Sequence, residues 1–216
     1  MVSGSGATAR TTAYGYAGDG MLAVVTDALT QTTSFTRDDV GRVTKTTRPD
    51  DQETLFAYDG KSNLTSLTPP GKTEHAMSHS PVDLLSAYTP PAIPGAGATT
   101  YQYDLDRLLL QKAEPARTTT YDYDAAGRLF LSSFPTGSIE RFYDPSSGKM
   151  VRLEGPTGVD VDYTFDGSYL AATSWSGAIS GEVAVTRDNR FRVASETVND
   201  AWDASITYDN DSLILN

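Results

Sequence analysis

The stretch Tyr121-Asp-Tyr-Asp-Ala-Ala-Gly-Arg-Leu129 predicts the basic element of this fold, which is a β-hairpin. Tyrosine and aspartate alternate over residues 121–124, and this is the period of a half-buried strand. Asp124 favours the first position of a turn, and Gly127 can adopt the positive φ that closes a three-residue loop with a bulge. We therefore expect two antiparallel strands joined by a tight turn.

The hairpin also has a predicted register. Asp124 lies opposite Arg128 in this register, so that opposite charges pair across the strands. Tyr123 then faces Leu129, and one side of the hairpin becomes aromatic and aliphatic while the other becomes charged. The side chains expected to share the apolar face are Tyr121, Tyr123, Leu129 and Leu131.

The hairpin motif recurs along the chain at a nearly constant period. When the copies are aligned on Tyr123, ten positions match, with spacings of 20 to 24 residues. A fixed period in this range is typical of a repeat architecture. The ten aligned positions are Tyr16, Arg37, Tyr58, His79, Tyr103, Tyr123, Tyr143, Phe165, Arg187 and Tyr208.

A second turn follows each motif. Proline or glycine marks it in most repeats, as at Pro49, Pro115 and Pro135, and proline cannot donate to a β ladder. Threonine and aromatic residues fill the strand positions, and helix signals are nearly absent. The sequence thus predicts an all-β fold, in which residues 13–216 form a long curved antiparallel sheet of about ten hairpin repeats of about 21 residues. Twisted sheets of this width curl, split or close, so we expect the sheet to spiral toward a hollow shell or barrel-like wall.

Two segments depart from this regular pattern. Residues 1–12 are small and polar, and we expect them to be flexible. The spacing that follows His79 contains three prolines and two glycines between 90 and 97, and it predicts a longer surface loop. A domain boundary there is the less favoured interpretation, because the repeat phase resumes at Tyr101-Gln-Tyr103.

Composition limits the classes of function. The net charge of -11 and the pI of about 4.5 argue against nucleic-acid binding, which needs a basic surface. The chain has no cysteine, so neither disulfides nor thiol chemistry operates. No apolar run approaches the ~20 residues of a membrane-spanning helix.

The phrase Tyr-Asp-x-x-Gly-Arg-Leu, complete at residues 123–129, resembles the YD repeat of Rhs and teneurin proteins. Five of the ten repeats depart from it by placing another residue at the turn glycine, and we expect other turn geometries there. These residues are Ser62, Asp83, Arg107, Phe191 and Ser212. The residues predicted to carry the repeat structure are Tyr58, Asp59, Tyr103, Asp104, Tyr121, Tyr123, Asp124, Gly127, Arg128, Leu129, Tyr143, Asp144, Tyr208 and Asp209.

The resemblance implies a long antiparallel sheet that spirals into a hollow shell. Bacterial shells of this kind enclose a toxic C-terminal polypeptide, and animal relatives form part of adhesion receptors. The resemblance therefore implies a bacterial secreted or surface location, with neighbouring repeats of a longer parent chain and an enclosed polypeptide as partners. We interpret the chain as a fragment of such a protein.

Candidate sites for chemistry are weak. His75 and His79 are four residues apart, but Pro81 and the strand phase argue against the helix that would make them metal ligands. Aspartate pairs such as Asp122-x-Asp124 lack the remaining ligands of a calcium loop. The Asp160-x-Asp162 and Asp209-Asn-Asp211 pairs likewise resemble only pieces of calcium loops, and Asn63-Leu-Thr65 matches a glycosylation sequon, a short pattern that is common by chance. No pair of carboxylates stands out as catalytic, so we predict no enzyme activity, no cofactor and no metal.

Three functional hypotheses follow from the sequence. The first is a structural shell wall that encloses or presents another polypeptide. The second is a carbohydrate-binding or adhesion module that uses Trp175, Trp202 and exposed tyrosines, and the third, an enzyme, is the least favoured. The apolar segment 212–215 lacks proline and charge, so we also expect edge-to-edge self-association that added salt strengthens.

Overall fold

The computed structural model describes residues 2–3, 10–92 and 94–215, and all of its regular elements are β-strands. The first eleven strands are β1 (Val2–Ser3), β2 (Arg10–Thr11), β3 (Ala13–Tyr16), β4 (Leu22–Thr26), β5 (Thr32–Arg37), β6 (Val43–Thr47), β7 (Glu53–Tyr58), β8 (Leu64–Thr68), β9 (His75–His79), β10 (Leu85–Thr89) and β11 (Thr99–Tyr103). The remaining strands are β12 (Leu109–Glu114), β13 (Arg117–Tyr123), β14 (Leu129–Phe134), β15 (Gly137–Tyr143), β16 (Met150–Glu154), β17 (Asp160–Asp166), β18 (Tyr169–Trp175), β19 (Gly181–Arg187), β20 (Val193–Val198) and β21 (Trp202–Ser205).

The chain divides into two compact units. The first contains 1–107 and 112–116, and the second contains 108–111 and 117–216, so the division passes through β12. In the first unit the strands from β3 to β11 pair antiparallel with their neighbours in sequence. In the second unit the strands from β13 to β21 do the same. The predicted all-β antiparallel fold is confirmed. The single repeat domain predicted for 13–216 stays a prediction.

The expectation for residues 1–12 lies largely outside the described residues. Residues 1 and 4–9 are not described, and β1 pairs with β2 through Val2 opposite Thr11. The longer loop expected after His79 lies between β10 and β11, and Ile93 within it is outside the described residues.

The aligned positions of the repeats fall at the ends of strands. Nine of the ten are the last or second-last residue of a strand, and Tyr208 forms an isolated bridge with Ile214. In eight hairpins a bulge near the turn interrupts the ladder next to the aligned position. These hairpins are β3–β4, β5–β6, β7–β8, β9–β10, β13–β14, β15–β16, β17–β18 and β19–β20. Bulges increase local twist and bend a sheet, so the motif supplies curvature at every repeat.

The two faces of the sheet differ in chemistry. In the second unit, Leu153 lies opposite Val161, which in turn lies opposite Trp175, so these three share one face. On the other face Glu140 lies opposite Glu154, which lies opposite Asp160. The first unit repeats the arrangement, with one row formed by Phe56, Leu67 and His75 and another by Val24, Ser34, Thr47 and Glu53. Each unit is therefore a sheet with one mainly apolar face and one mainly polar face.

The described residues contain no fully buried hydrophobic side chain. Ser132 is the one polar residue among them that is buried, and its Oγ lies 3.0 Å from Nη1 of Arg141, which donates to it. No helix in the described part of the chain is long and apolar enough to cross a membrane. In the described part of the chain, stability therefore comes from the ladders and from half-buried contacts between repeats.

Candidate functional site

The turn of the hairpin at 121–131 is organised by Asp124. The Asp124 N–H donates to the Arg128 carbonyl at 2.9 Å, and the Gly127 N–H donates to the Asp124 carbonyl at 2.9 Å. Gly127 has a φ of 75°, which completes the predicted three-residue loop. The Asp124 carboxylate accepts from the N–H groups of Ala126 and Arg128, both at 2.9 Å, and from Arg128 Nε at 2.7 Å. The predicted pairing of Asp124 with Arg128 is confirmed.

The predicted register of this hairpin is correct next to the turn and wrong beyond it. Tyr123 lies opposite Leu129, as expected, but Tyr121 lies opposite Ser132 and not opposite Leu131. A bulge adds one residue to the second strand, and a shift of one residue moves a side chain to the other face. Leu131 therefore belongs to the polar face, whereas the sequence predicted it on the apolar one.

The motif tyrosines reach back to the preceding repeat. The Tyr143 hydroxyl donates to the carbonyl of Leu129 at 2.8 Å, and Leu129 is the residue that ends the preceding motif. This bond adds one cross-link between adjacent hairpins to the ladder and contributes about 1 kcal/mol. The same bond joins Tyr58 to Val43 at 3.0 Å, Tyr103 to Leu85 at 2.9 Å, Tyr123 to Leu109 at 3.0 Å and Tyr208 to Val193 at 2.8 Å.

Arginine replaces tyrosine in two repeats and makes the same connection. Arg187 Nη1 donates to the Leu170 carbonyl at 2.9 Å. Arg37 donates from Nε and Nη2 to the Leu22 carbonyl, both at 3.3 Å. The sequence shows these arginines as departures from the motif, yet a long side chain with a terminal donor is what the position requires.

We expect Arg187→Tyr to retain the free energy of unfolding to within about 0.5 kcal/mol, because a tyrosine hydroxyl can reach the same carbonyl. Arg187→Leu should lower it by about 1 kcal/mol, since that carbonyl then loses its donor. Urea unfolding of the three proteins gives the comparison. Equal stabilities of the tyrosine and leucine variants would show that the bond does not matter.

Of the ten aligned residues, Tyr16, Phe165 and His79 make no such bond within the described part of the chain. Phe165 has no hydroxyl, and Nζ of Lys149 lies over its ring at 4.6 Å from the centroid. The buried Nδ1 of His79 has no hydrogen-bond partner among the described residues. His75 Nδ1 is 2.7 Å from the Tyr88 hydroxyl, so the two histidines serve different contacts.

A second contact joins several of the turns to the next one. The guanidinium of Arg128 lies over the Tyr143 ring at 4.5 Å and donates to the Gly148 carbonyl at 3.4 Å. This places a cation on an aromatic face of the following repeat, a contact of about 0.5–1 kcal/mol at exposed sites. A guanidinium lies over the ring of the following repeat in the same way at Arg42 and Tyr58 (4.8 Å) and at Arg192 and Tyr208 (4.2 Å). Hydrogen bonds to the following turn join Arg42 to Asp59 (2.8 Å), Asn63 to Asp83 (3.0 Å), Lys149 to Gly167, and Arg192 to Ser212 (3.1 Å). We call these contacts, together with the bonds to the preceding carbonyl, the repeat clamps.

The turns without glycine keep the glycine geometry, contrary to the expectation from sequence. The φ values are 73° at Ser62, 66° at Asp83, 68° at Arg107, 63° at Phe191 and 67° at Ser212. The turn hydrogen bonds impose this conformation, because each of these N–H groups donates to the carbonyl of the aspartate or serine three residues earlier. Ser62, Asp83 and Ser212 also accept from the preceding turn, which offsets part of the strain.

Several turn aspartates, among them Asp124, Asp144 and Asp188, have a lowered pKa and are held in their charged form. Hydroxyl hydrogen bonds from Ser147 and then Ser146 lower the pKa of Asp144 from 3.8 to about 2. The Arg128 backbone N–H and then its guanidinium lower the pKa of Asp124, and the Arg192 side chain lowers that of Asp188. Each carboxylate therefore acts as an acceptor for its own turn over most of the pH range.

A carboxyl whose pKa is lower in the folded state adds stability above its ordinary pKa, and this is lost as the pH falls through the folded value. For Asp144 the window runs from pH 3.8 down to about 2. We expect Asp144→Asn to reduce the loss of stability over that window. Denaturant unfolding at several pH values measures it, and identical pH profiles of variant and parent would contradict the assignment.

The remaining candidate residues for metal binding, sugar binding or glycan attachment lie at different places in the fold. Among the described residues no group of three or more histidines, aspartates or glutamates is placed to hold a metal. The Asn63 amide of the sequon donates to Asp59 and Asp83, both at 3.0 Å, and so serves a clamp. A Cβ at Gly181 would lie 2.4 Å from the Trp175 ring, so this tryptophan packs on the backbone of β19. Trp202 is 60% exposed.

The structure places most of the predicted repeat residues in the turns and clamps, whereas Tyr121 lies within β13 opposite Ser132. What the sequence reasoning missed is the role of the clamp residues Arg37, Arg42, Arg187 and Arg192. Their spacing carried the signal, because they lie at the repeat period on either side of a turn. The functional role of the predicted set as a whole stays a prediction.

The fold and its clamps define a class of protein in which successive antiparallel β-hairpin repeats are joined by contacts between neighbouring turns. The chain belongs to the teneurin YD-shell family, whose model matches residues 5–209. No curated protein sequence matches the chain.

Solved structures with the same fold are complexes of Tc toxins. The chain is similar to the crystal structure of TcdB2-TccC3-TEV, with a TM-score of 0.73, 14% identity and coverage of 95% of this chain and 13% of that chain. It is similar to TcdB2-TccC3-Cdc42, with a TM-score of 0.54, 15% identity and coverage of 95% and 15%. A Photorhabdus luminescens Tc holotoxin pore gives a TM-score of 0.50 at 14% identity, with coverage of 96% and 15%. The chain thus spans about one seventh of the solved chains that it matches.

Proposed function

We propose that the chain is a segment of shell wall that encloses another polypeptide, such as a C-terminal toxin, and that it acts without catalysis. The observation that carries the proposal is the chemistry of the sheet, which has one mainly apolar face and no fully buried hydrophobic side chain among the described residues. A sheet with an apolar face needs something to cover that face, and an incompletely folded polypeptide offers apolar surface to do so. The family membership supports the same function.

The clamps suit this function mechanically. A single-layer wall cannot rely on a packed core, so its rigidity depends on bonds between successive hairpins. Hydrogen bonds like that of the Tyr143 hydroxyl and ring contacts like that of Arg128 recur in other repeats of the chain. We propose that neighbouring repeats of a longer parent chain continue the wall, and that this parent acts outside the cell that makes it.

Photo-crosslinking in the full-length protein tests the enclosure. A photoreactive amino acid at Val161 would lie on the apolar face, and the matched control at Asp162 would lie on the polar face of the same strand. We expect crosslinks to the enclosed polypeptide from Val161 and few from Asp162. Crosslinks from Asp162 alone, or from neither position, would contradict enclosure by the apolar face.

The glycan-binding alternative depends on Trp202, which is 60% exposed and could stack on a sugar ring. A glycan array probed with the parent and with Trp202→Ala separates the two functions. A signal that disappears in the variant would favour the binding module, and no signal from the parent would remove this alternative.

Self-association through the segment 212–215 stays a prediction. Residues 213–215 pair on one side with their own chain, because Leu215 N–H donates to the Thr207 carbonyl at 2.8 Å. Leu213, Ile214 and Leu215 are each about two thirds exposed, at 65%, 68% and 66%. We expect association that increases with protein concentration and with salt, and sedimentation measures it. A monomer at every salt concentration would contradict it.

A further inference from the structure

The turns of the eighth and ninth repeats carry an exposed aromatic pair. The rings of Tyr169 and Phe191 stack at 5.4 Å between centroids, and the two residues are 42% and 65% exposed. Arg187 also lies over the Tyr169 ring, at 4.9 Å from its centroid. Arg190 is exposed in the same turn as Phe191. We call these four residues the aromatic tip patch.

Phe191 occupies an unfavourable position. Its φ of 63° belongs to the left-handed region, which bulky residues rarely adopt, and the equivalent position in the complete motif is Gly127. The stacking contact with Tyr169 offsets part of the strain, but most of the Phe191 side chain still faces solvent. Backbone strain combined with an exposed aromatic side chain is a feature of functional surfaces.

The patch is positively charged in a negatively charged protein. Residues 187–192 contain three arginines and one aspartate, and Asp166 opposite Tyr169 adds one negative charge, so the local net charge is +1, whereas the chain carries -11. The Asp188 carboxylate is held by Arg192 at 2.7 Å, which leaves its charge neutralised within the turn. A negative partner is therefore attracted to this tip and repelled by much of the remaining surface.

We propose that the aromatic tip patch binds an acidic polypeptide segment that carries at least one apolar side chain. Tyrosine and arginine are the residue types that dominate binding energy at protein interfaces, and charge complementarity selects the acidic partner. The apolar side chain of the segment packs on the Phe191 ring, and its carboxylates face Arg190 and Arg187. The proposal does not depend on enclosure by the apolar face.

The test uses a random peptide library displayed on phage and selected on the chain. We expect enrichment of sequences that combine aspartate or glutamate with an aliphatic or aromatic residue. The affinity of the best peptide, measured by fluorescence anisotropy, should fall at least tenfold in Phe191→Gly and in Arg190→Glu. Glycine suits the φ of this turn, so Phe191→Gly removes the ring without harming the fold.

The matched control is Leu105→Ala, which removes a fully exposed apolar side chain from another motif turn and should leave the affinity unchanged. Circular dichroism confirms that each variant is folded. Selection of basic or neutral peptides, or an acidic peptide bound equally by all variants, would overturn the proposal. A sulfated polysaccharide that binds through Phe191 and Arg190 where no acidic peptide does would overturn it too.

Discussion

Tyr143→Ala is expected to lower the free energy of unfolding by about 3 kcal/mol, because it removes a half-buried ring and a hydrogen bond at once. The hydroxyl donates to the Leu129 carbonyl at 2.8 Å, and the ring carries the Arg128 guanidinium at 4.5 Å. Both contacts cross from one hairpin to the next, so their loss weakens the connection between repeats. Urea unfolding followed by circular dichroism gives the free energy.

Tyr143→Phe is the matched control for this prediction. It keeps the ring beneath Arg128 and removes only the hydroxyl, so it should cost about 1 kcal/mol. If phenylalanine costs as much as alanine, the ring contributes nothing and the clamp consists of the hydrogen bond alone. If neither variant changes stability, the clamps do not hold the wall together.

Gly127→Val should lower the free energy of unfolding by about 2–3 kcal/mol, because a β-branched residue resists positive φ. Gly127 has a φ of 75°, and its N–H closes the turn on the Asp124 carbonyl. The nearest atom to an added Cβ is Leu108 Cδ1 at 4.0 Å, so steric overlap plays little part and the cost comes from the backbone. Chemical denaturation of variant and parent measures the difference.

Gly60→Val provides the control for the glycine prediction. Gly60 lies in the turn of another repeat, no atom lies within 4 Å of an added Cβ, and it does not have the positive φ of Gly127. We therefore expect valine there to change stability by less than about 0.5 kcal/mol. Equal losses at the two sites would mean that side-chain bulk, and not φ, determines the cost.

Much of the repeat architecture followed from local sequence. The alternation in 121–124 and the turn chemistry of Asp124 and Gly127 predicted a hairpin and its charge pair, because these depend on contacts within a few residues. The period of the aligned positions predicted the succession of strands along the sheet. Hydrogen bonding between neighbours in sequence turns that period directly into the order of strands.

Features that depend on contacts between neighbouring repeats could not be predicted from the sequence and are visible only in the tertiary structure. The bulge that places Leu131 on the polar face depends on how two strands pair, and no residue type in 129–132 signals it. Arg37 and Arg187 depart from the motif tyrosine in the sequence, and the carbonyls that they reach, 15 and 17 residues earlier, become neighbours only in the fold.

The turns at Ser62 and Phe191 keep a glycine conformation for the same reason. Their hydrogen bonds and their contacts with the preceding turn outweigh the local preference of the residue. The sequence by itself determined the repeating hairpin, because local alternation and turn chemistry specify it. The tertiary structure decided the register beyond the bulge and the partners of the clamps, because these depend on residues of adjacent repeats that come together only in the folded sheet.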